Sequence, residues 1–219
     1  MHPNPKTQPA FTMWIDPHKA AARQHGEIAR LTGLGQGRML EIGCGEGEYL
    51  AVMQEKNWEA LGIEADAGSV AACMSKNVLA LQGCYAEVGV ARASFDIVRI
   101  RGGLVSTPNP MELLQFAFDS LRPTGYLIAE TWNGSGLPCR PHRDSLLHRY
   151  TKTSLHAMAL QAGFEGGGVI APALGDPVWA PWIQTARRPA LWRRWLDHSA
   201  AVFDRGSLLV LFSQRPPQR

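Results

Sequence analysis

Apolar and polar positions along this chain fall into blocks whose period switches between two and about three and a half, so strands and helices alternate. Met39 to Ile42 is a short apolar run that reads as a buried strand, and Glu46 to Lys56 follows it as a helix. Ala60 to Ile63 forms a second strand and Ala67 to Lys76 a second helix. Val78 to Gln82 and Phe95 to Ile100 supply two more strands, Met111 to Leu121 a helix, and Tyr126 to Thr131 a fifth strand. Lys152 to Ala162 is expected as a helix, capped by Thr151 and stopped by Gly163. Val169 with Ile170, and Leu208 to Phe212, complete the strands. Ahead of them all, Trp14 to Leu34 carries a helix that opens with Asp16 as cap and Pro17 in its first turn, and that Gly33 and Gly35 end. Strands alternating with helices build a mostly parallel sheet covered on both faces. The pattern predicts an α/β protein with an open, doubly wound sheet and an antiparallel edge.

Between the first strand and its helix lies Gly43-Cys44-Gly45-Glu46-Gly47, with glycine at alternate positions. Such a turn needs positive φ and lets the backbone approach a ligand closely. Seventeen residues after Gly47, Leu61-Gly62-Ile63-Glu64 reads as a strand ending in a carboxylate, placed to accept both ribose hydroxyls of a nucleoside. The spacing is G-x-G-x-G, whereas the dinucleotide fingerprint is G-x-G-x-x-G with a pyrophosphate on the helix N-terminus. Glu41, Glu46 and Glu48 crowd that entrance with negative charge. They would repel a pyrophosphate and suit a cofactor with an ammonium and a sulfonium centre.

Leu40-Glu41-Ile42-Gly43-Cys44-Gly45-Glu46-Gly47 resembles the first motif of class I S-adenosylmethionine-dependent methyltransferases, and Glu64 resembles that family's ribose-binding acid. Ser94-Phe95-Asp96-Ile97-Val98, then Leu121 to Ile128, His148-Arg149-Tyr150-Thr151 and Ala162-Gly163-Phe164, follow in the family's order, so the resemblance covers roughly residues 36 to 168. It implies a Rossmann-like, doubly wound, mostly parallel seven-stranded sheet with an antiparallel edge strand. It also implies S-adenosylmethionine as cofactor and S-adenosylhomocysteine as product. Methyl transfer from a sulfonium has a good leaving group already, so aligning methyl and acceptor carries most of the catalysis. The implied cofactor set is Glu41, Gly43, Cys44, Gly45, Gly47, Glu64, Ala65, Cys84 and Tyr85, with Glu41 receiving the cofactor's amino group directly or through water.

Two stretches depart from the family. Relatives place an aspartate after the third strand for the adenine amino group; here the residues are Gln82-Gly83-Cys84-Tyr85-Ala86-Glu87, leaving backbone amides and the Tyr85 ring. After the fourth strand, relatives have an acid and a histidine ahead of an Asp-Pro step. Here Asn109-Pro110 takes that step and the histidine is missing, so Arg101 or Ser106 is the candidate to face the methyl group. An arginine there suits a carboxylate or phosphate-bearing acceptor. His142, His148 and Tyr150 are the candidates for handling a proton, with His148 beside Asp144 as a base, or alternatively as a brace for the next helix. The catalytic candidates are therefore His148, Tyr150 and Arg101.

Composition narrows the setting. A chain of 219 residues, 45% hydrophobic and 19% charged, folds around one sizeable core and is not disordered. Residues 1–12 are expected to be a flexible N-terminus and 13–219 one domain, with a core over 36–170 and a C-terminal extension over 171–219. No apolar run approaches the ~18 residues of a membrane span, and Met1 to Lys6 lacks the apolar core of a secretory signal. The cytoplasm is the expected location. The four cysteines show no metal-ligand spacing, so no metal is expected and buried, reduced thiols are. Net charge is only +3, but seventeen arginines stand against five lysines, and Arg187, Arg188, Arg193 and Arg194 lie among Trp179, Trp182, Trp192 and Trp195. The segment Trp179–Trp195 reads as a helix with a basic solvated face, or as a peripheral membrane contact for a lipid-linked acceptor. Low charge and the lack of an aromatic strand platform disfavour nucleic acid. Nothing in the pattern specifies an oligomer. The expected function is methyl transfer to a small-molecule or carrier-linked metabolite. The alternatives are a glycan or isoprenoid lipid acceptor, and a catalytically silent module that keeps the fold as scaffold.

Overall fold

The structure, a computed structural model, describes residues 16–135, 147–172 and 208–218. Helix α1 (Pro17–Thr32) begins as its composition dictates: the Asp16 carboxylate accepts from the His18 amide and Pro17 opens the first turn. There follow β1 (Arg38–Ile42), α2 (Glu48–Glu55), β2 (Glu59–Glu64), α3 (Ala67–Ser75), β3 (Leu79–Gln82) and β4 (Phe95–Arg101). A short α4 (Gly103–Ser106), α5 (Pro110–Ser120), β5 (Leu121–Trp132), α6 (Lys152–Gln161), β6 (Glu165–Ile170) and β7 (Leu208–Gln214) complete the described elements.

The seven strands lie in the order β3-β2-β1-β4-β5-β7-β6. The first five are mutually parallel, and β7 runs antiparallel between β5 and β6 at that edge. This is the Rossmann-like α/β sheet that the pattern predicts. The chain leaves β1 toward β2 and β3, then returns to place β4 and β5 on the other side. The order therefore reverses at β1 and β4, and a crevice opens beyond their carboxyl ends.

Alternate residues sort the core onto two faces. Leu40, Ile42, Val98, Ile100 and Leu127 pack against Leu104, Leu113, Leu114 and Leu155 of α4 to α6. Met39, Ile97, Ile128 and Val210 pack against Ile28, Leu50, Met53 and Val70 of α1 to α3. This second face also holds Glu41, Arg99 and Glu130, all buried. Helix α2 begins at Glu48, two residues later than expected, because Gly47 has a left-handed φ of 77°. Helix α5 begins at Pro110 on an Asn109 cap whose side chain accepts from the Glu112 amide. No helix among the described residues is long and apolar enough to cross a membrane. The expectations for residues 1–12, for His142 and Asp144, for Trp179–Trp195 and for most of the extension lie outside the described residues.

Candidate functional site

At the end of β1 the chain turns through Gly43, Gly45 and Gly47, with φ of 79°, 55° and 77°. A Cβ on Gly43 would stand 2.7 Å from the Arg101 carbonyl oxygen, so β1 and β4 can approach only around a glycine. A Cβ on Gly45 would meet nothing within 4 Å, because that residue faces open space. The turn is braced from β2: Glu64 Oε2 accepts from the Gly45 amide at 2.8 Å, while Oε1 accepts from Ala65 and Asp66 amides at 2.8 and 3.1 Å. Beneath it, the Cys73 thiol donates to the Gly45 carbonyl at 3.2 Å and Cys44 packs over Gly62. Burial pushes the Cys44 thiol pKa well up, which suits packing and not nucleophilic chemistry.

Beyond this turn lies a cleft of about 880 Å³, within the range of small-molecule sites of ~300–1,000 Å³. Gly43, Cys44, Gly45, Glu64, Ala65, Cys84 and Tyr85 all line it, and so does Arg101. Gly47 shapes the turn from outside the lining. The Tyr85 hydroxyl lies 3.1 Å from Thr107 Oγ1 and donates to the Asn109 carbonyl at 3.3 Å, and its ring tilts against Phe116. The ring is thereby held between the loop after β3 and the turn after α4. Among the described lining residues, Glu46, Glu48 and Glu64 bring carboxylates and Arg101 is the only cation. Lys76 lies outside the lining and pairs with Glu48 at 2.8 Å.

Three expected site residues stand elsewhere. Glu41 does not reach the cleft: it is fully buried in β1, in register with Arg99 of β4, with its Oε1 3.0 Å from Arg99 Nη1. Burial raises its pKa, against the pull of Arg99 and Arg101. His148 and Tyr150 do not line the cleft either. His148 Nε2 donates to the Thr107 carbonyl at 3.0 Å, and the Tyr150 hydroxyl donates to the Leu104 carbonyl at 2.9 Å. Burial pushes the Tyr150 phenol up to about 12. A four-residue helix such as α4 leaves carbonyls at its end without intrahelical partners, and these two side chains bond one inside it, Leu104, and one just past it, Thr107. In the structure both side chains brace this segment, which for His148 is the alternative that the sequence left open. The residues that the sequence reading missed are Arg99 and Glu130, which pair inside the core, and Thr107 and Trp132, which line the cleft. An arginine between the apolar residues Ile97, Val98 and Ile100 of β4, two positions before Arg101, was the available signal for Arg99.

Residues 17–166, more than half of the chain, match the family model described as a methyltransferase domain. A search of curated proteins finds no match to the sequence. Solved structures share the fold. An S-adenosylmethionine-dependent methyltransferase from Thermotoga maritima is 19% identical, with 91% of each chain covered and a TM-score of 0.65. One from Archaeoglobus fulgidus is 17% identical, covering 91% of this chain and 95% of that one, with a TM-score of 0.67. Phosphoethanolamine N-methyltransferase 2 of Haemonchus contortus, in complex with S-adenosyl-L-methionine, is 15% identical over 89% of this chain and 52% of its own, with a TM-score of 0.63. At such identities the likeness is one of fold.

Proposed function

The chain belongs to the methyltransferase-domain family and takes S-adenosylmethionine as cofactor; from that premise we propose that it methylates a small-molecule or carrier-linked acceptor that presents an anionic group to Arg101. The observation that carries this reading is the charge of the cleft wall, in which Arg101 is the one described cation among three carboxylates. A planar guanidinium binds carboxylate or phosphate through two parallel hydrogen bonds.

The residues present fit the cofactor. Glu64 would accept a ribose hydroxyl through the free lone pair of Oε2, the open side of Gly45 would admit the chain of the amino acid, and Cys84 and Tyr85 would hold the adenine. When bound, S-adenosylmethionine supplies an electrophilic methyl on a sulfonium that departs as a neutral thioether. The protein's own work is then to orient and to exclude water, with Val105, Thr107 and Trp132 among the residues that wall the cleft. No histidine is among the described lining residues, and an acceptor atom with a free lone pair at neutral pH would need no base from the wall. The Haemonchus contortus neighbour methylates phosphoethanolamine, an amine with a phosphate, which is in line with this chemistry by analogy of fold.

The test is a panel of paired acceptors with and without a carboxylate or phosphate, read as S-adenosylhomocysteine formed, on wild type and Arg101→Gln. Anionic members should be turned over, and Arg101→Gln should raise their KM at least tenfold while changing the cofactor Kd less than threefold. Equal turnover of the neutral members would overturn the proposal. So would a variant that loses S-adenosylhomocysteine affinity but binds 5′-methylthioadenosine normally, because Arg101 would then hold the cofactor's own carboxylate.

A further inference from the structure

Arg99 stands mid-strand in β4 with no exposed surface, an expensive place for a guanidinium unless its arms are matched. Its partners come from four elements. It donates from Nε to Glu130 of β5 at 2.8 Å and from Nη2 to Gln24 of α1 at 2.9 Å. Its Nη1 forms an ion pair with Glu41 Oε1 of β1 at 3.0 Å, and its Cζ lies 4.0 Å from the ring centroid of Tyr49 on α2. Glu41 and Tyr49 each stand two residues outside the Gly43 to Gly47 turn, one on either side. A single guanidinium thus touches the strand that enters the turn and the helix that leaves it.

The turn needs such a fixture. Three of its five residues are glycine, which gives the backbone its required positive φ but leaves it many other conformations. Glu64 holds the turn from the cleft side through the Gly45 amide, and nothing in that contact sets the separation of β1 from α2. We propose that Arg99 is a positioning residue for the cofactor turn: by clamping Glu41 and stacking on Tyr49 it sets that separation, and so prepares the backbone for the ligand. The inference rests on the turn being the cofactor's cradle. Because Arg99 touches no lining residue in a described hydrogen bond or ion pair, its effect on binding is transmitted through Glu41 and Tyr49.

The experiment compares Arg99→Lys, Tyr49→Leu and Glu130→Gln by calorimetric titration with S-adenosylmethionine and S-adenosylhomocysteine, at a temperature where circular dichroism shows each variant folded. Lysine keeps the charge but lacks the fork that spans two partners and the flat face that stacks. Tyr49→Leu removes only the helix-side contact. Glu130→Gln disturbs the same buried cluster on β5, away from the turn. Arg99→Lys and Tyr49→Leu should weaken both ligands at least tenfold, whereas Glu130→Gln should lower the Tm but change Kd less than threefold. If all three variants bind within threefold of wild type once folded, or if loss of affinity simply follows loss of Tm across them, Arg99 is a structural ion pair and the proposal falls. If Arg99→Lys does not fold, Tyr49→Leu against Glu130→Gln decides alone. Gly45→Arg, measured alongside, separates the premise from the inference: wild-type binding there would mean that the turn is not the cradle at all.

Discussion

Removing the Glu64 carboxylate tests the ribose contact in a way that geometry makes quantitative. In the structure Glu64 spends both oxygens on three backbone amides, two on Oε1 and one on Oε2, so of the four lone pairs of a carboxylate one remains, on Oε2, to offer a hydroxyl. Hydrogen bonds to a charged group contribute ~1.5–3 kcal/mol each. The one lost at this half-buried position therefore comes to about 1.5–3 kcal/mol, or roughly 10- to 150-fold in Kd. Losing the Gly45 amide contact also loosens the turn, at ~1 kcal/mol and so a drop of about 2–4 °C in Tm. A two-by-two calorimetric comparison separates these effects: wild type and Glu64→Ala, each titrated with S-adenosylhomocysteine and with its 2′-deoxy analogue. Wild type should prefer the ribose form by about 10- to 100-fold, and Glu64→Ala should bind the two forms alike. A variant that keeps the wild-type preference would refute the contact, since any affinity it lost would have come through the turn alone.

Tyr150→Phe should cost about 1–3 kcal/mol of unfolding free energy, because the buried Leu104 carbonyl loses its donor. Its kcat should stay within twofold of wild type, and a fall of a hundredfold or more in a folded variant would return Tyr150 to the reaction. Glu41→Gln bears on pH. Burial raises the Glu41 pKa in the folded state, with Arg99 and Arg101 opposing and Glu130 and Glu64 adding to it. A raised folded pKa means that the group stabilises the protein below its unfolded value near 4.5 and that the contribution is lost as pH rises. The stability of wild type minus that of Glu41→Gln should therefore fall with increasing pH, by at most ~1.4 kcal/mol per unit. Denaturant titrations from pH 4.5 to 8.5 read this directly, and a difference that grows with pH would contradict it.

What the sequence carried was local. The glycine turn, the Asp16 cap and the strand ending at Glu64 are each written within a few neighbouring residues, and the structure has them all. The start of α2 was misjudged because helix propensity favours Glu46 while the left-handed Gly47 delays the first turn. Helix α4 is too short to show a period. What depended on register was hidden. That Glu41, Arg99 and Glu130 meet follows only once β1, β4 and β5 lie side by side, and no spacing along the chain announces it. His148 and Tyr150 could be read as proton carriers, and His148 also as a brace, because polar side chains ahead of a helix are chemically ambiguous; the carbonyls in and just after α4 that they bond lie more than forty residues earlier.

The central claim is that the Gly43 to Gly47 turn cradles S-adenosylmethionine, and its most direct test is titration of the cofactor into wild type and Gly45→Arg. The Gly45 Cβ position points into open space, so the arginine side chain occupies the cleft and not the core, and the variant should remain folded apart from the ~1–2 kcal/mol cost of a left-handed φ. Wild type should bind at micromolar strength and Gly45→Arg should show no heat of binding. Equal affinity in the two, or no binding by wild type, would contradict the account.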